Sequence, residues 1–182
     1  LASSAASDVY KRQLMNRYFL TLSIRRDGYS AFGMENPYAT FPSGALAWNL
    51  SDESFFNIKW INNLKVRASY GINGNRDIGI YDALAKLETN KYLTGSTLIS
   101  GIYSSSLAHQ YLKWEKTKAL NLGLDFSILN SRLNGSVDYY SMITNDLLLK
   151  RSLPTIIGYD NVMSNMGELQ NKGFEMTLNS YN

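Results

Sequence analysis

The chain has 182 residues, enough for one domain with a sizeable core, and 45% of them are hydrophobic, an ordinary share for a folded protein. It has no cysteine, which excludes disulfide frameworks and cysteine-based metal sites, and its formal charge of +3 is too small and too scattered to argue for nucleic acid. No apolar run approaches the roughly 18 residues of a membrane-spanning helix, so any meeting with a bilayer must use strands.

The opening LASSAASDVYKRQ has no apolar core between a basic end and a cleavage site, and so is not a signal peptide. Ser3 to Gln13 looks like translated sequencing-adapter read-through of the kind that opens gene fragments assembled from environmental DNA. Residues 1–13 are therefore expected to be a non-native or adapter-derived tail outside the fold, the other reading being a flexible or weakly helical linker. If the tail is non-native, the missing signal peptide carries no information.

After the tail the chain alternates in period two. Tyr18, Leu20, Leu22 and Ile24 alternate with Phe19, Thr21, Ser23 and Arg25, and DGYSAFGMENPYAT then supplies turn residues. Leu46, Trp48 and Leu50 mark a second strand, followed by SDESFFNIKWINN, whose Ser51 and Asp52 are placed to cap a helical turn. In the third, Leu64, Val66, Ala68, Tyr70 and Ile72 alternate with Lys65, Arg67, Ser69, Gly71 and Asn73. A long stretch rich in Ser, Gly, Thr and Tyr leads to Trp114 and a hairpin, in which Leu120, Leu122, Leu124, Phe126 and Ile128 form one face. Its second strand sets Leu133, Val137 and Tyr139 against Asn134, Ser136, Asp138 and Tyr140. Phe174, Met176 and Leu178 mark the last strand. No linker divides the chain, which reads as one domain.

Connections alternate in length: long ones follow strands one, three and five, compact ones follow strands two and four. Every long loop then lies at one end of the sheet, as in an outer-membrane barrel with short periplasmic turns and long extracellular loops. Tyr18, Trp48 and Phe126 fall near one membrane boundary and Tyr70 and Tyr139 nearer the other, as aromatic girdles would. The fold class expected is all-β: an antiparallel transmembrane β-barrel segment of about six strands, an open curved sheet within this chain, over residues 14–182.

FPSGALAWNLSDESFF, WINNLKVRASYGINGN, LKWEKTKALNLGLDF, LNSRLNGSVDYYSMITNDLL and NMGELQNKGFEMTL, in that order, resemble the C-terminal barrel region of SusC/RagA-type TonB-linked outer-membrane proteins, TonB-dependent transporters. The resemblance covers nearly everything from about Asn16 to Asn182. It implies a large barrel in the outer membrane of a Gram-negative bacterium, a plug inside it, energy from the TonB complex, and a SusD-like lipoprotein lid that captures glycan or peptide. The plug and the TonB-contacting segment have no counterpart here, so the chain is expected to be a fragment of the transporter.

On this reading Val66, Leu122, Leu124 and Phe126 face lipid, while Asn121, Asp125, Asp138 and Tyr140 line a wet lumen. Placing Asp125 or Asp138 in lipid instead would cost about 2.5–3.5 kcal/mol at the bilayer centre. Tyr81, Tyr92, Tyr103 and Tyr111 in the outer loops are candidate contacts to substrate or lid, by stacking on sugar rings or packing on the partner, the alternative being ordinary loop packing.

Catalytic material is scarce. His109 is the one histidine, expected at the surface of a polar loop, so Ser-His-Asp and histidine-rich metal sites have no basis. Asp125, Asp138 and Glu175 are the kind of residue that paired-carboxylate glycoside hydrolysis uses, but lumen polarity explains them without catalysis. No enzyme activity, cofactor, metal or nucleic-acid partner is expected. The alternatives are a soluble β-sandwich ligand-binding module, and a barrel importing a siderophore or cobalamin. Strands are expected at 16–27, 41–50, 64–75, 113–129, 132–145 and 172–181, with 28–40, 76–112 and 146–171 together at one end. Two sheets enclosing Val66, Leu122 and Leu124 in a dry core would favour the soluble module.

Overall fold

A computed structural model of the chain describes residues 3–32, 35–78, 85–109, 111–159 and 161–181. Its strands are β1 (Ser3–Leu14), β2 (Tyr18–Tyr29), β3 (Tyr38–Asn49), β4 (Ile61–Asn75), β5 (Leu87–Thr94), β6 (Thr97–Ser104), β7 (Glu115–Ile128), β8 (Leu133–Asn145), β9 (Leu148–Ser152), β10 (Asn161–Asn165) and β11 (Glu168–Ser180). Seven form one antiparallel sheet in the order β1-β2-β3-β4-β7-β8-β11. Each sheet strand lies beside the next in the chain, so the sheet is a meander. β5–β6 and β9–β10 are separate hairpins within its long loops. The sheet strands run 12 to 15 residues, longer than the roughly 9–11 that a tilted strand needs to cross a bilayer's hydrocarbon core.

The period-two pattern sets the register. Directly paired residues share a face, and one row across the sheet reads Leu20, Leu46, Ala68, Leu122, Tyr139, Phe174. The next reads Tyr18, Trp48, Val66, Leu124, Val137, Met176. A slip of one residue would exchange these rows with the polar ones. Among the described residues nothing covers this apolar face: Val66 and Leu124 are 37% exposed and Leu122 44%. The dry core of a soluble sandwich is therefore not formed, and that alternative falls.

The compact connectors are Met15–Arg17, Leu50–Trp60 and Leu129–Arg132, all at one end, and the described residues of 30–37, 76–114 and 146–167 lie at the other. Ser51 and Asp52 sit inside a short 3-10 turn, Leu50–Asp52, and do not cap it, Asn49 holding the preceding position. The Leu129–Arg132 turn takes positive φ at Leu129, Asn130 and Ser131. It is tied down from outside, with Leu129 N donating to Trp60 O at 3.0 Å and Ser131 N to Asn62 Oδ1 at 3.0 Å.

One expectation is corrected. Residues 3–13 do not lie outside the sheet: Ser3–Leu14 pair with β2 along its whole length, from Ser3 opposite Tyr29 to Leu14 opposite Tyr18. The free edge of β2 offers unpaired N–H and C=O groups that any extended segment satisfies, and backbone pairing requires no matching side-chain pattern. The mismatch remains visible, because Asp8 and Arg12 join the apolar face opposite Ile24 and Leu20. The long loops carry hairpins of their own, β5–β6 and β9–β10. In the β5–β6 hairpin the two-residue turn uses Gly95 at φ +65°, where a glycine has no Cβ to strain.

The buried residues gather at the long-loop end. β3 and β4 stop pairing beyond Ser43–Gly71, and there Ala31, Phe32, Ala39, Phe41, Ile78, Leu112 and Trp114 form a closed cluster. The Trp114 ring lies 4.9 Å from that of Phe32 and 5.8 Å from that of Phe41. Burying Phe32 and Leu112 contributes about 1.5–3 kcal/mol each, which anchors the loop bases.

Candidate functional site

The face opposite the apolar rows carries the polar side chains. One row across it reads Phe19, Ala47, Arg67, Gly123, Asp138, Glu175, and the next Thr21, Ala45, Ser69, Asn121, Tyr140, Gly173. Asn121, Asp125, Asp138 and Tyr140 thus share one face, and Val66, Leu122, Leu124 and Phe126 the other.

The charged centre of the polar face is a three-strand ion network. Arg67 of β4 donates from Nε and Nη2 to both carboxylate oxygens of Asp125 of β7, at 2.8 and 2.7 Å. The same Nη2 donates to Asp138 Oδ1 of β8 at 2.9 Å. Between Arg67 and Asp138 lies Gly123, and a Cβ there would stand 2.5 Å from Asp138 Oδ1 and 2.8 Å from Arg67 Cζ. The bridge passes directly over the β7 backbone, which only a glycine permits. The three side chains are 40%, 38% and 32% exposed, so water screens the pairs and each is worth about 1 kcal/mol or less.

Sequence reasoning placed Asp125 and Asp138 correctly on one face but missed that Arg67 and Gly123 join them. The alternation of β4 carried the signal for Arg67. Glu175 stands directly opposite Asp138 and has no ion pair among the described residues. A groove of about 560 Å³ runs beside this network, lined by Arg67, Ser69, Asn121, Asp138, Tyr140 and Glu175 among others.

At the compact end, Glu53 gathers the aromatic residues expected at a boundary. The Tyr18 hydroxyl donates to Glu53 Oε1 at 2.5 Å and Trp48 Nε1 at 3.0 Å, while Arg17 pairs with Oε2 at 3.2 Å. These bonds, that from Tyr18 foremost, hold the Glu53 carboxyl below its ordinary range. Tyr18 and Trp48 stack with ring centroids 6.0 Å apart.

The three described loop tyrosines do not converge. Tyr81 lies outside the described residues. Tyr92 packs across Gly101 within its own hairpin, and Tyr111 is 70% exposed. Tyr103 alone of the described three lines a cleft, between the two loop hairpins. His109 is not the simple surface residue expected: it is half-buried, and its Nδ1 is shielded from water with no hydrogen-bond partner among the described residues. Among the described residues no group of three His, Cys, Asp or Glu is placed to hold a metal ion.

This architecture has close counterparts. The family model for the TonB dependent receptor-like β-barrel matches residues 10–182. The chain belongs to the TonB-dependent receptor β-barrel family. It is 44% identical over 168 residues to TonB-dependent receptor P3 of Formosa agariphila, covering 92% of this chain and 17% of that protein. It is also 37% identical over 174 residues to the TonB-dependent receptor SusC of Bacteroides thetaiotaomicron, again covering 92% of this chain and 17% of the relative. The chain thus spans about a sixth of the curated receptors it matches. Among solved structures, a chain of the RagAB peptide transporter superposes with a TM-score of 0.87 at 28% identity, covering 97% of this chain and 19% of that one. The siderophore receptor PirA of Pseudomonas aeruginosa, at 14% identity and a TM-score of 0.62, shares the fold alone.

Proposed function

We propose that this chain forms part of the wall of a TonB-dependent transporter in the outer membrane of a Gram-negative bacterium, one that imports oligosaccharide or peptide nutrients with a SusD-like lipoprotein lid. Val66, Leu122, Leu124 and Phe126 face lipid, and Asn121, Asp125, Asp138 and Tyr140 face a hydrated lumen. The observation that carries this is the pairing of an uncovered apolar face with a polar face built on an ion network. In water such a face would be a liability, whereas against acyl chains it needs no cover. A shallow apolar hollow of about 600 Å³, lined by Tyr18, Leu20, Leu46, Trp48, Val66 and Ala68 among others, suits acyl chains and offers little to a polar ligand.

The similarity to SusC and to the RagAB peptide transporter supports a nutrient importer over a siderophore or cobalamin carrier. Energy reaches such a transporter from the TonB complex through a plug region, and no chemical step is assigned to the chain. Residues 1–13 we regard as a non-native tail, in keeping with the charged residues that β1 sets on the apolar face. The test is uptake by cells producing a full-length transporter that carries this segment. Oligomer uptake should vanish when TonB is deleted. Uptake that persists without TonB, or a protein recovered in the soluble fraction, would overturn the proposal.

A further inference from the structure

The apolar face does not stop where the strands do. Tyr18 and Trp48 are paired near its compact end on β2 and β3, and the ring of Phe55, from the Leu50–Trp60 connector, stands edge-on to Trp48 with centroids 6.5 Å apart. Phe55 is 68% exposed, and the same connector leaves Ile58 42% and Trp60 57% exposed. The connector is held by its own backbone: Phe56 N donates to Glu53 O at 3.0 Å, Ile61 N to Ile58 O at 3.1 Å, and Trp60 O accepts from Leu129 N at 3.0 Å. A fixed segment that exposes large apolar side chains beside a lipid-adapted face carries that face past the strand ends.

The polar ends of the boundary aromatics are already occupied. Glu53 Oε1 accepts from the Tyr18 hydroxyl and from Trp48 Nε1, and Oε2 accepts from Arg17 Nη1, while the Glu53 side chain itself is 9% exposed. Interfacial Tyr and Trp ordinarily keep the ring among acyl chains and the polar tip among hydrated headgroups. Here one carboxylate collects two such tips and a guanidinium, the donors that a lipid phosphate would otherwise take. We propose that the Leu50–Trp60 connector is a membrane anchor seated in the phospholipid leaflet at the compact end, where Phe55 enters the acyl boundary and Glu53 takes the place of a headgroup phosphate. Lipid holds the connector through apolar contact, and the hydrogen bonds at this boundary come from within the chain. The inference rests on the lipid-facing reading of the apolar side and extends it beyond the strands.

The test uses the full-length transporter in phosphatidylcholine vesicles, with single nitroxide labels at Phe55→Cys, Leu122→Cys and Ser131→Cys and a water-soluble nickel complex on both sides of the bilayer. Collision with oxygen relative to nickel should be highest at 122, intermediate at 55 and lowest at 131. A label at 55 as open to nickel as that at 131, with 122 still in lipid, would overturn the anchor and leave the wall standing. A label at 122 open to nickel would overturn the wall, and the anchor with it. A second measurement tests Glu53, because Glu53→Ala releases its three donors to the lipid. Exchanging phosphatidylcholine for phosphate-free digalactosyl diacylglycerol should lower the denaturant midpoint of Glu53→Ala more than that of the parent protein. An equal shift in both would overturn Glu53 as the substitute for a headgroup.

Discussion

Gly123 provides a test of the ion network in which two opposing effects can be weighed. Gly123→Ala adds a methyl 2.5 Å from Asp138 Oδ1 and 2.8 Å from Arg67 Cζ and Nη2, so the Arg67–Asp138 bond must open while Arg67 retains Asp125. A bond between charged groups this exposed is worth about 1 kcal/mol. Alanine in a strand interior gains about 0.5–1 kcal/mol over glycine, so in the otherwise unaltered protein the two terms nearly cancel. In an Arg67→Ala background no bridge remains to be broken, and Gly123→Ala should stabilise by about 0.5–1 kcal/mol. The double-mutant cycle should give a coupling of about 1 kcal/mol. Denaturant unfolding of the full-length protein in lipid vesicles measures it. Equal effects in both backgrounds would show that the bridge does not cross β7 as described.

Leu122→Arg should impair assembly far more than Asn121→Arg, by about 2–4 kcal/mol if position 122 sits at mid-bilayer, as folding yield into vesicles would reveal. Thr97→Cys at the β5–β6 turn should react with a membrane-impermeant maleimide on intact cells and Ser131→Cys should not; the reverse would invert the topology. Because the Glu53 carboxyl is held below its ordinary value of 4.5, its contribution is fully present above that value and lost as pH falls through the lowered one. The acid-side drop in unfolding midpoint should therefore be smaller in Glu53→Gln than in the parent protein.

The sheet was legible because its strands are two-faced: between Leu120 and Ile128 the alternation alone decides which side chains point together, and pairing rows follow from it. Turn chemistry located two of the three compact connectors, Leu50–Trp60 and Leu129–Arg132, and missed Met15–Arg17 along with β1. What the sequence left hidden depends on non-local geometry. The Arg67 contact with Asp138 crosses an intervening strand, so neither spacing nor periodicity marks it. Trp114, Phe32 and Phe41 meet because β3 and β4 diverge beyond Ser43–Gly71, and no period runs through the loops that bring them together. The pairing of residues 3–14 was missed for a different reason. Ser3 to Gln13 looked adapter-derived and were expected outside the fold, whereas the free edge of a strand pairs with any extended segment whatever its origin.

The central claim is that one face of this sheet meets lipid and the other water. Nitroxide labels placed singly at residues 119–126 of the full-length protein in lipid vesicles test it most directly, through collision with oxygen, which concentrates in the bilayer, and with a water-soluble nickel complex. Oxygen accessibility should peak at 120, 122, 124 and 126, and nickel accessibility, where access is open, at the residues between them. Alternation in the opposite phase, or the absence of any alternation, would contradict the account.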